Sequence, residues 1–391
     1  MVDATKPQRC NAVYTCNGHT GPVIDFDFNP FNENQVVSCS EDCSIKLWQI
    51  PEDGLTENMS ECRAEIGHHS RKVTHLAFHP TADDVLLSTG FDNCVKLWDV
   101  ANCKEINSCD NQHPDIIQDA AWDYMGTTYA TSSKDRAVRI VDARSAQVVK
   151  TIENAHTGAK AIKLAWAGSK DKLITTGFVR GSSKREMKIW DPRSNGSEPL
   201  AKVDLDSASG VVMPFFDDDT SMVYLVAKGD SAIRYFEILD KDPHYMDCAI
   251  FRSHSPAKGA AFVPKRNLDV GHNEVARIMK VTVNGAEPVS FNLPRRSDSF
   301  QDDLFPDTYA GVPAHTCAEW LAGSQKGPML MGLDPTQESV VRMSEVGPPG
   351  GSSGQKYVAP KTAPELQKEL DEANERIAFL EAKLKQANIS V

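Results

Sequence analysis

The chain repeats itself, and the period of the repeat limits what it can fold into. His19, Ser38, Asp42 and Trp48 superimpose on His69, Ser88, Asp92 and Trp98 at a constant offset of 50 residues. A third copy follows at shorter spacing as His113, Thr131, Asp135 and the Val141-Asp142 pair. A fourth runs through His156, Thr175 and Trp190-Asp191, lengthened by the insertion RGSSKRE. A fifth keeps only Asp230, six residues before Phe236-Glu237. Inside each unit, short runs such as VIDFDF, THLAF and SIKLW alternate apolar and polar residues, with Gly, Asp, Asn and Pro between them. Alternation of period two, broken by turn residues, writes strands. Units of four strands repeating at roughly 40 to 50 residues are the blades of a β-propeller, each burying its faces against its neighbours.

The recurring polar residues have a structural use. A His ahead of the first strand, a hydroxyl on one strand, an Asp in a tight turn and a Trp on the next strand can join in one hydrogen-bonded relay. Such a relay is stable in a blade only if each member is satisfied, so it fixes the blade's geometry. The predicted members are His19, Ser38, Asp42, Trp48; His69, Ser88, Asp92, Trp98; His113, Thr131, Asp135; and His156, Thr175, Trp190. His, Ser and Asp together also mimic a hydrolase triad. Their return in successive units is something a single active site would not need, so no catalytic residue and no enzyme are expected. Residues 245–293 read as one more blade without the His and Trp markers. Residues 300–333 read as packing on the propeller side or supplying its closing strands.

Charge constrains the partners. The formal net charge of −12 argues against broad electrostatic attachment to nucleic acid. An acidic partner would have to meet a local basic patch. The candidates are Arg180, Lys184 and Arg185 in the fourth-repeat insertion, the Lys265-Arg266 pair and the Arg295-Arg296 pair. Ten cysteines are scattered without paired CxxC motifs at zinc-like spacing, which reads as free thiols in a reducing compartment. No metal or cofactor is called for. The start, MVDATKPQRCNAVYTC, has no apolar run, and no stretch reaches the roughly 18 apolar residues of a membrane span. The expectation is a soluble cytoplasmic protein with no direct membrane insertion.

Several longer stretches resemble the coronins, WD-repeat proteins of the actin cytoskeleton. They are GHTGPVIDFDFNPFNENQVVSCSEDCSIKLW (18–48), TTGF…KIWD (175–191), FFDDDTSMVYLVAKGDSAIRYFEI (215–238), FVPKRNLD (262–269) and FQDDLFPDT (300–308). The resemblance implies an all-β WD-repeat propeller that binds actin filaments and acts on the actin-related-protein branching complex and on severing factors. Six blades are visible in the sequence where that family closes seven. Coronins also carry a longer segment ahead of the first clear repeat, including basic residues implicated in filament contact, whereas here 17 residues precede Gly18-His19.

The predicted propeller spans 13–333, and residues 334–363, through GPPGGSSGQKYVAPKTAP, read as a flexible linker. Residues 364–391 read as an α-helical coiled coil. Leu366, Leu370, Ala373, Ile377, Leu380, Leu384, Ala387 and Val391 alternate steps of four and three, the seam of a heptad. With Ile377 at position a and Leu380 at d, Arg376 falls at g and Glu381 at e, so Arg376 can lie over the seam and bridge to Glu381 of a neighbouring chain. That pattern is associated with parallel trimers, so a homotrimer is expected, with dimer and tetramer as alternatives. Tethered propellers would bind a filament multivalently. A different class stays open. Trp190-Asp191-Pro192-Arg193 and Val141-Asp142-Ala143-Arg144 resemble the WDxR signature of propellers that serve as substrate receptors of cullin-type ubiquitin ligases. A WD-repeat scaffold with neither partner is the third reading.

Overall fold

In the computed structural model, the described residues are 5–7, 14–194, 196–296, 300–336 and 339–344. Blade 1 is built from β1 (Val23–Phe28), β2 (Gln35–Ser40), β3 (Ser44–Gln49) and β4 (Ala64–His68). Blade 2 follows with β5 (Val73–Phe78), β6 (Val85–Gly90), β7 (Val95–Asp99) and β8 (Lys104–Cys109). Blade 3 holds β9 (Ile117–Trp122), β10 (Thr128–Ser133), β11 (Val138–Asp142) and β12 (Gln147–Ile152). Blade 4 holds β13 (Lys163–Trp166), β14 (Leu173–Phe178), β15 (Lys184–Trp190) and β16 (Ala201–Ser207). Blade 5 holds β17 (Val212–Asp217), β18 (Met222–Ala227), β19 (Ala232–Ile238) and β20 (Tyr245–Arg252). Blade 6 has three strands, β21 (Gly259–Phe262), β22 (Glu274–Val281) and β23 (Ala286–Asn292). All pairings within the blades are antiparallel, as short meanders require.

Residues 245–293 were expected to form one blade, and the structure divides them. Tyr245–Arg252 is the outer strand of blade 5, in register with β19, with Tyr245 against Phe236 at 6.2 Å between ring centroids. An edge strand with that aromatic anchor completes the fourth strand of blade 5. Blade 6 begins only at Gly259.

The apolar cores lie between blades, where facing sheets bury their apolar side chains against one another. Val37, Ile45 and Leu47 of blade 1 meet Val73, Leu76 and Phe78 of blade 2. Ala130 and Val138 of blade 3 meet Leu164 and Trp190 of blade 4, and Ile174 and Ile189 of blade 4 meet Val223 and Leu225 of blade 5. Each Val, Leu, Ile or Phe among them contributes about 1.5–3 kcal/mol by leaving water. The first strands are also tied directly to one another. Asp25 accepts a hydrogen bond from the Leu76 backbone N–H at 3.1 Å and Asp27 from that of Phe78 at 2.9 Å. Asp119 does the same for Leu164 at 2.8 Å.

One strand lacks this cover. Val23, Phe26 and Phe28 of β1 are 50%, 60% and 55% exposed, whereas Val73, Leu76 and Phe78, at the same positions of the next repeat, are 0%, 3% and 8% exposed. The apolar types are retained, but among the described residues no sheet lies over them on β1.

After blade 6 the chain returns beneath blades 2 and 3. It forms a small sheet of β24 (Thr308–Tyr309), β25 (Met329–Met331) and β26 (Arg342–Met343), with the short helix α1 (Cys317–Leu321) between. Thr316 and Glu319 close a capping box at the start of α1, satisfying backbone donors that a helix of this length leaves free. The Tyr309 hydroxyl donates to Pro80 O at 3.1 Å, the Ala314 N–H to Thr81 O at 2.9 Å and the Trp320 indole to Gly126 O at 3.3 Å. Trp320 is fully buried. The expected coil residues Leu366, Leu370, Arg376, Ile377, Leu380, Glu381 and Leu384 lie outside the described residues, as do residues 345–363 of the expected linker.

Candidate functional site

The His-hydroxyl-acid-Trp sets form the interior of the blades. In blade 1, His19 Nδ1 lies 3.0 Å from Asp42 and Nε2 2.7 Å from Ser38 Oγ, which accepts from the Trp48 indole at 2.8 Å. Blade 2 repeats this at nearly the same distances: His69 to Asp92 at 3.0 Å, His69 to Ser88 at 2.7 Å, Trp98 to Ser88 at 2.8 Å. The polarity of the chain is fixed by its ends. The indole can only donate and the carboxylate only accept, so each hydroxyl donates to Nε2 and each Nδ1–H to the acid. Asp42 and Asp92 also accept backbone N–H groups of Thr20 and Ser70 at 2.9 Å. These bonds to the ionised form outweigh desolvation and hold the Asp92 carboxyl down at about 2.

Blade 3 departs from the expectation. His113 Nε2 meets Thr131 Oγ1 at 2.8 Å, but Asp135 does not reach the ring. It pairs with Arg139 at 2.5 Å, and His113 Nδ1 is buried with no partner. The cause is the residue on β11. Blades 1 and 2 carry Lys46 and Lys96 at this position, and these reach outward to Glu65 and Glu105 at 2.9 and 2.6 Å. Arg139 is 7% exposed and takes the turn carboxylate as its own counterion. Val141 stands where the Trp stood, so Thr131 has no indole donor. Burial and the Arg139 charge push His113 down to about 4.

Blade 4 restores the relay with a residue the sequence reading missed. His156 Nδ1 lies 2.9 Å from Glu186, Nε2 lies 2.8 Å from Thr175, and the Trp190 indole donates to Thr175 at 2.9 Å. The insertion displaces the turn Asp. Its function passes to a Glu on β15, four residues before the Trp, where blade 1 has Ser44 and blade 3 Ala137. That acidic residue at the end of RGSSKRE was the available signal. Glu186 also holds Lys202 at 2.9 Å, and its hydrogen bonds from His156 and Lys202 bring its carboxyl down to about 2 against the cost of burial.

The cationic candidates divide sharply. Arg185 is 3% exposed and bridges blades 4 and 5 through Asp206 and Asp230, each at 2.6 Å, so it is no surface contact. Its place on β15, in register with Asp206, explains this: a buried guanidinium persists only with paired carboxylates. Lys265 is engaged by Asp217 at 2.5 Å, Arg266 by Glu33 at 2.6 Å and Arg295 by Asp303 at 2.6 Å. Arg180, Lys184 and Arg296 are exposed and make no ion pair among the described residues. Of the two WDxR-like arginines, one is tied into the fold and the other is an exposed side chain paired on the surface. Arg144 donates to the Trp320 and Ser324 carbonyls at 2.8 and 2.5 Å and lies over the Trp320 ring, and Arg193 pairs with Asp171. Among the described residues, no group of three or more His, Cys, Asp or Glu is placed to hold a metal ion, and no helix is long and apolar enough to cross a membrane.

Comparison with known proteins accounts for this architecture. The WD domain, G-beta repeat, matches residues 10–49 and 60–99, and a further type of WD40 repeat matches 286–328. Coronin-2A of Bos taurus is 40% identical over 82% of this chain and 62% of its own length. The chain thus spans under two thirds of that relative. Coronin-A of Dictyostelium discoideum is 39% identical over 94% of this chain and 80% of its own. The crystal structure of the WD40 domain of Toxoplasma gondii coronin matches at a TM-score of 0.76 and 32% identity, covering 81% of this chain and 82% of that one. A WD40 propeller with this degree of identity along most of its length belongs to the coronin family.

Proposed function

We propose that this chain is a non-catalytic actin filament-binding protein of the cytoplasm that organises the actin cytoskeleton through its propeller. Membership of the coronin family, at 39% identity over 80% of Coronin-A, carries the reading. The use made of the relay residues supports the non-catalytic reading. The relays of blades 1, 2 and 4 are consumed internally, with hydroxyl, imidazole and acid facing one another at 2.7–3.0 Å within the blade. A propeller so stapled is a rigid platform whose rims are free to bind. Once internal ion pairs are subtracted, Arg180, Lys184 and Arg296 remain as cations for an acidic filament.

Residues 364–391 gather several propellers, three in the favoured arrangement, so that modest contacts act together on a polymer with repeated sites. The gain is roughly 10²- to 10⁴-fold. The same assembly presents further surface to the branching complex and to severing factors. Co-sedimentation with actin filaments tests the core of the reading: the full chain pellets only with actin. Deleting 364–391 should lower apparent affinity by at least tenfold, and unchanged affinity would remove the avidity part. Remaining soluble beside filaments would remove the filament reading itself.

A further inference from the structure

A cleft of about 720 Å³ opens between blades 3 and 4. One wall is the β10–β11 turn with Lys134 and Arg136. The other is the segment Thr157–Lys160 together with the β14–β15 hairpin that carries Arg180. Lys134, Arg136, Lys160 and Arg180 line it, and no carboxylate does. None of these four makes an ion pair among the described residues. Lys160 donates only to the Ser209 carbonyl at 2.6 Å and lies over the Phe178 ring at 4.6 Å. Acids close by are already committed, Asp135 to Arg139 and Glu186 to His156, Lys188 and Lys202. In a chain of net charge −12, that leaves four uncompensated cations around one concavity.

The basic character belongs to this cleft and not to the turn that forms it. At the positions of Lys134, blades 1 and 2 carry Glu41 and Phe91, and at those of Arg136 they carry Cys43 and Asn93. The backbone is the same in all three turns, with φ of 71°, 62° and 72° at Cys43, Asn93 and Arg136. A left-handed turn position suits Asn or Gly better than a long side chain. An arginine held there, facing a second cationic wall, favours a binding role over a structural one.

We propose that this cleft docks an extended acidic segment of a partner polypeptide. Carboxylates of such a segment would meet the four cations, and the hydroxyls of Ser182 and Ser183 on the hairpin offer further donors. A membrane is the poorer fit. Its charged plane is flat, the cations line a concavity, and a chain of net charge −12 repels an anionic sheet. The inference shares Arg180 with the filament reading but does not rest on it, because the segment need not belong to actin.

The test uses the full chain and a fluorescein-labelled peptide of about ten alternating Glu and Asp residues, followed by anisotropy. Saturable binding that weakens as salt rises from about 50 to about 200 mM is expected. The variant Lys134→Glu with Arg136→Asn writes into blade 3 the residues that blades 1 and 2 carry in the same turn, so the scaffold tolerates it. A second variant combines Lys160→Ser with Arg180→Ser. Each should bind the peptide about tenfold more weakly at an unchanged melting temperature. Absence of saturable binding by the parent chain, or binding by both variants as tight as the parent's, overturns the proposal. Binding to phosphatidylserine vesicles without binding to the peptide overturns it in favour of a membrane. Filament pelleting separates the two readings. Variants that lose the peptide and still pellet support the cleft and place the filament elsewhere. A parent chain that binds the peptide but does not pellet supports the cleft and removes the filament.

Discussion

Acid should loosen the junction between blades 2 and 3 and the C-terminal strap, and His79 supplies a term that can be isolated. Its Nε2–H donates to Gly126 O at 2.7 Å, and its Nδ1 accepts the backbone N–H of Ala82 at 2.8 Å and of Thr81 at 3.1 Å. A proton on Nδ1 would face those two donors, so the geometry admits only the neutral ring. Trp122 and Trp320 flank it at 4.6 and 4.9 Å, and His315 and the Arg144 charge lie nearby. Burial, with smaller contributions from those two groups, pushes His79 down to about 3 against the ordinary 6.5. The folded value lies below the unfolded one, so unfolding takes up a proton. Stability is intact above pH 6.5 and falls as pH drops from there toward 3. Between pH 7 and pH 5 the loss from this residue integrates to ~2 kcal/mol.

The assay is urea unfolding at both pH values, read by tryptophan fluorescence, for the parent chain and for His79→Gln. Glutamine keeps a donor and an acceptor but cannot titrate. Its own destabilisation cancels when each protein is compared with itself. The drop in unfolding free energy on acidification should be smaller in the variant by ~2 kcal/mol. Equal drops, within about 0.5 kcal/mol, would refute the claim that a buried neutral imidazole holds this junction.

The other predictions follow the repeat. Ser88→Ala orphans both the Trp98 indole and His69 Nε2 and should cost about 3 kcal/mol, whereas Thr131→Val in blade 3, where no indole is present, should cost about 1 kcal/mol. Thermal melting of the pair decides this, and equal losses would sink the relay argument. Phe78→Ala, at 8% exposure, should cost roughly 3–5 kcal/mol, while Phe28→Ala, at 55% exposure, should change stability by less than about 1 kcal/mol. The same denaturation curves report it.

What the sequence made legible is what repetition made redundant. One blade's His, Ser, Asp and Trp mean little, but the set returning after 50 residues fixes strands, turns and relay together. The reading failed where one repeat exchanged a single neighbour. Lys46 and Lys96 becoming Arg139 moves Asp135 from a histidine to a guanidinium, a competition between two donors that spacing does not express. Moving the acid of blade 4 from turn to strand is equally invisible to an alignment by position, because Glu186 stands where the other blades need none. Arg185 looked like loop charge beside a Gly-Ser-Ser insertion. Its burial depends on Asp206 and Asp230, 21 and 45 residues on, and only strand register reveals that. The return of 308–343 beneath blades 2 and 3 was written as three scattered anchors, Tyr309, His315 and Trp320, without any period to expose them.

The exposed face of β1 follows from the same repetition. Where β5 meets blade 1, Asp25 and Asp27 take the backbone N–H groups of Leu76 and Phe78, and Val73, Leu76 and Phe78 lose nearly all their exposure. β1 carries the matching pattern, Val23, Phe26 and Phe28, with the same strand geometry one repeat earlier. A strand whose residues are selected for a blade-to-blade contact keeps that chemistry when no sheet lies over it, since the pattern belongs to the repeat and not to the neighbour. Asp27 shows the other half of the contact: burial against blade 2 pushes its carboxyl up to about 6 even though Phe78 donates to it. β1 and β9 thus offer carboxylate acceptors to the blade that follows, through Asp25, Asp27 and Asp119, whereas β5 has His75 at the position of Asp25 and donates from it to Ala120 O at 2.9 Å. Among the described residues no sheet covers the apolar face of β1, so its capacity for cohesion between blades is not spent.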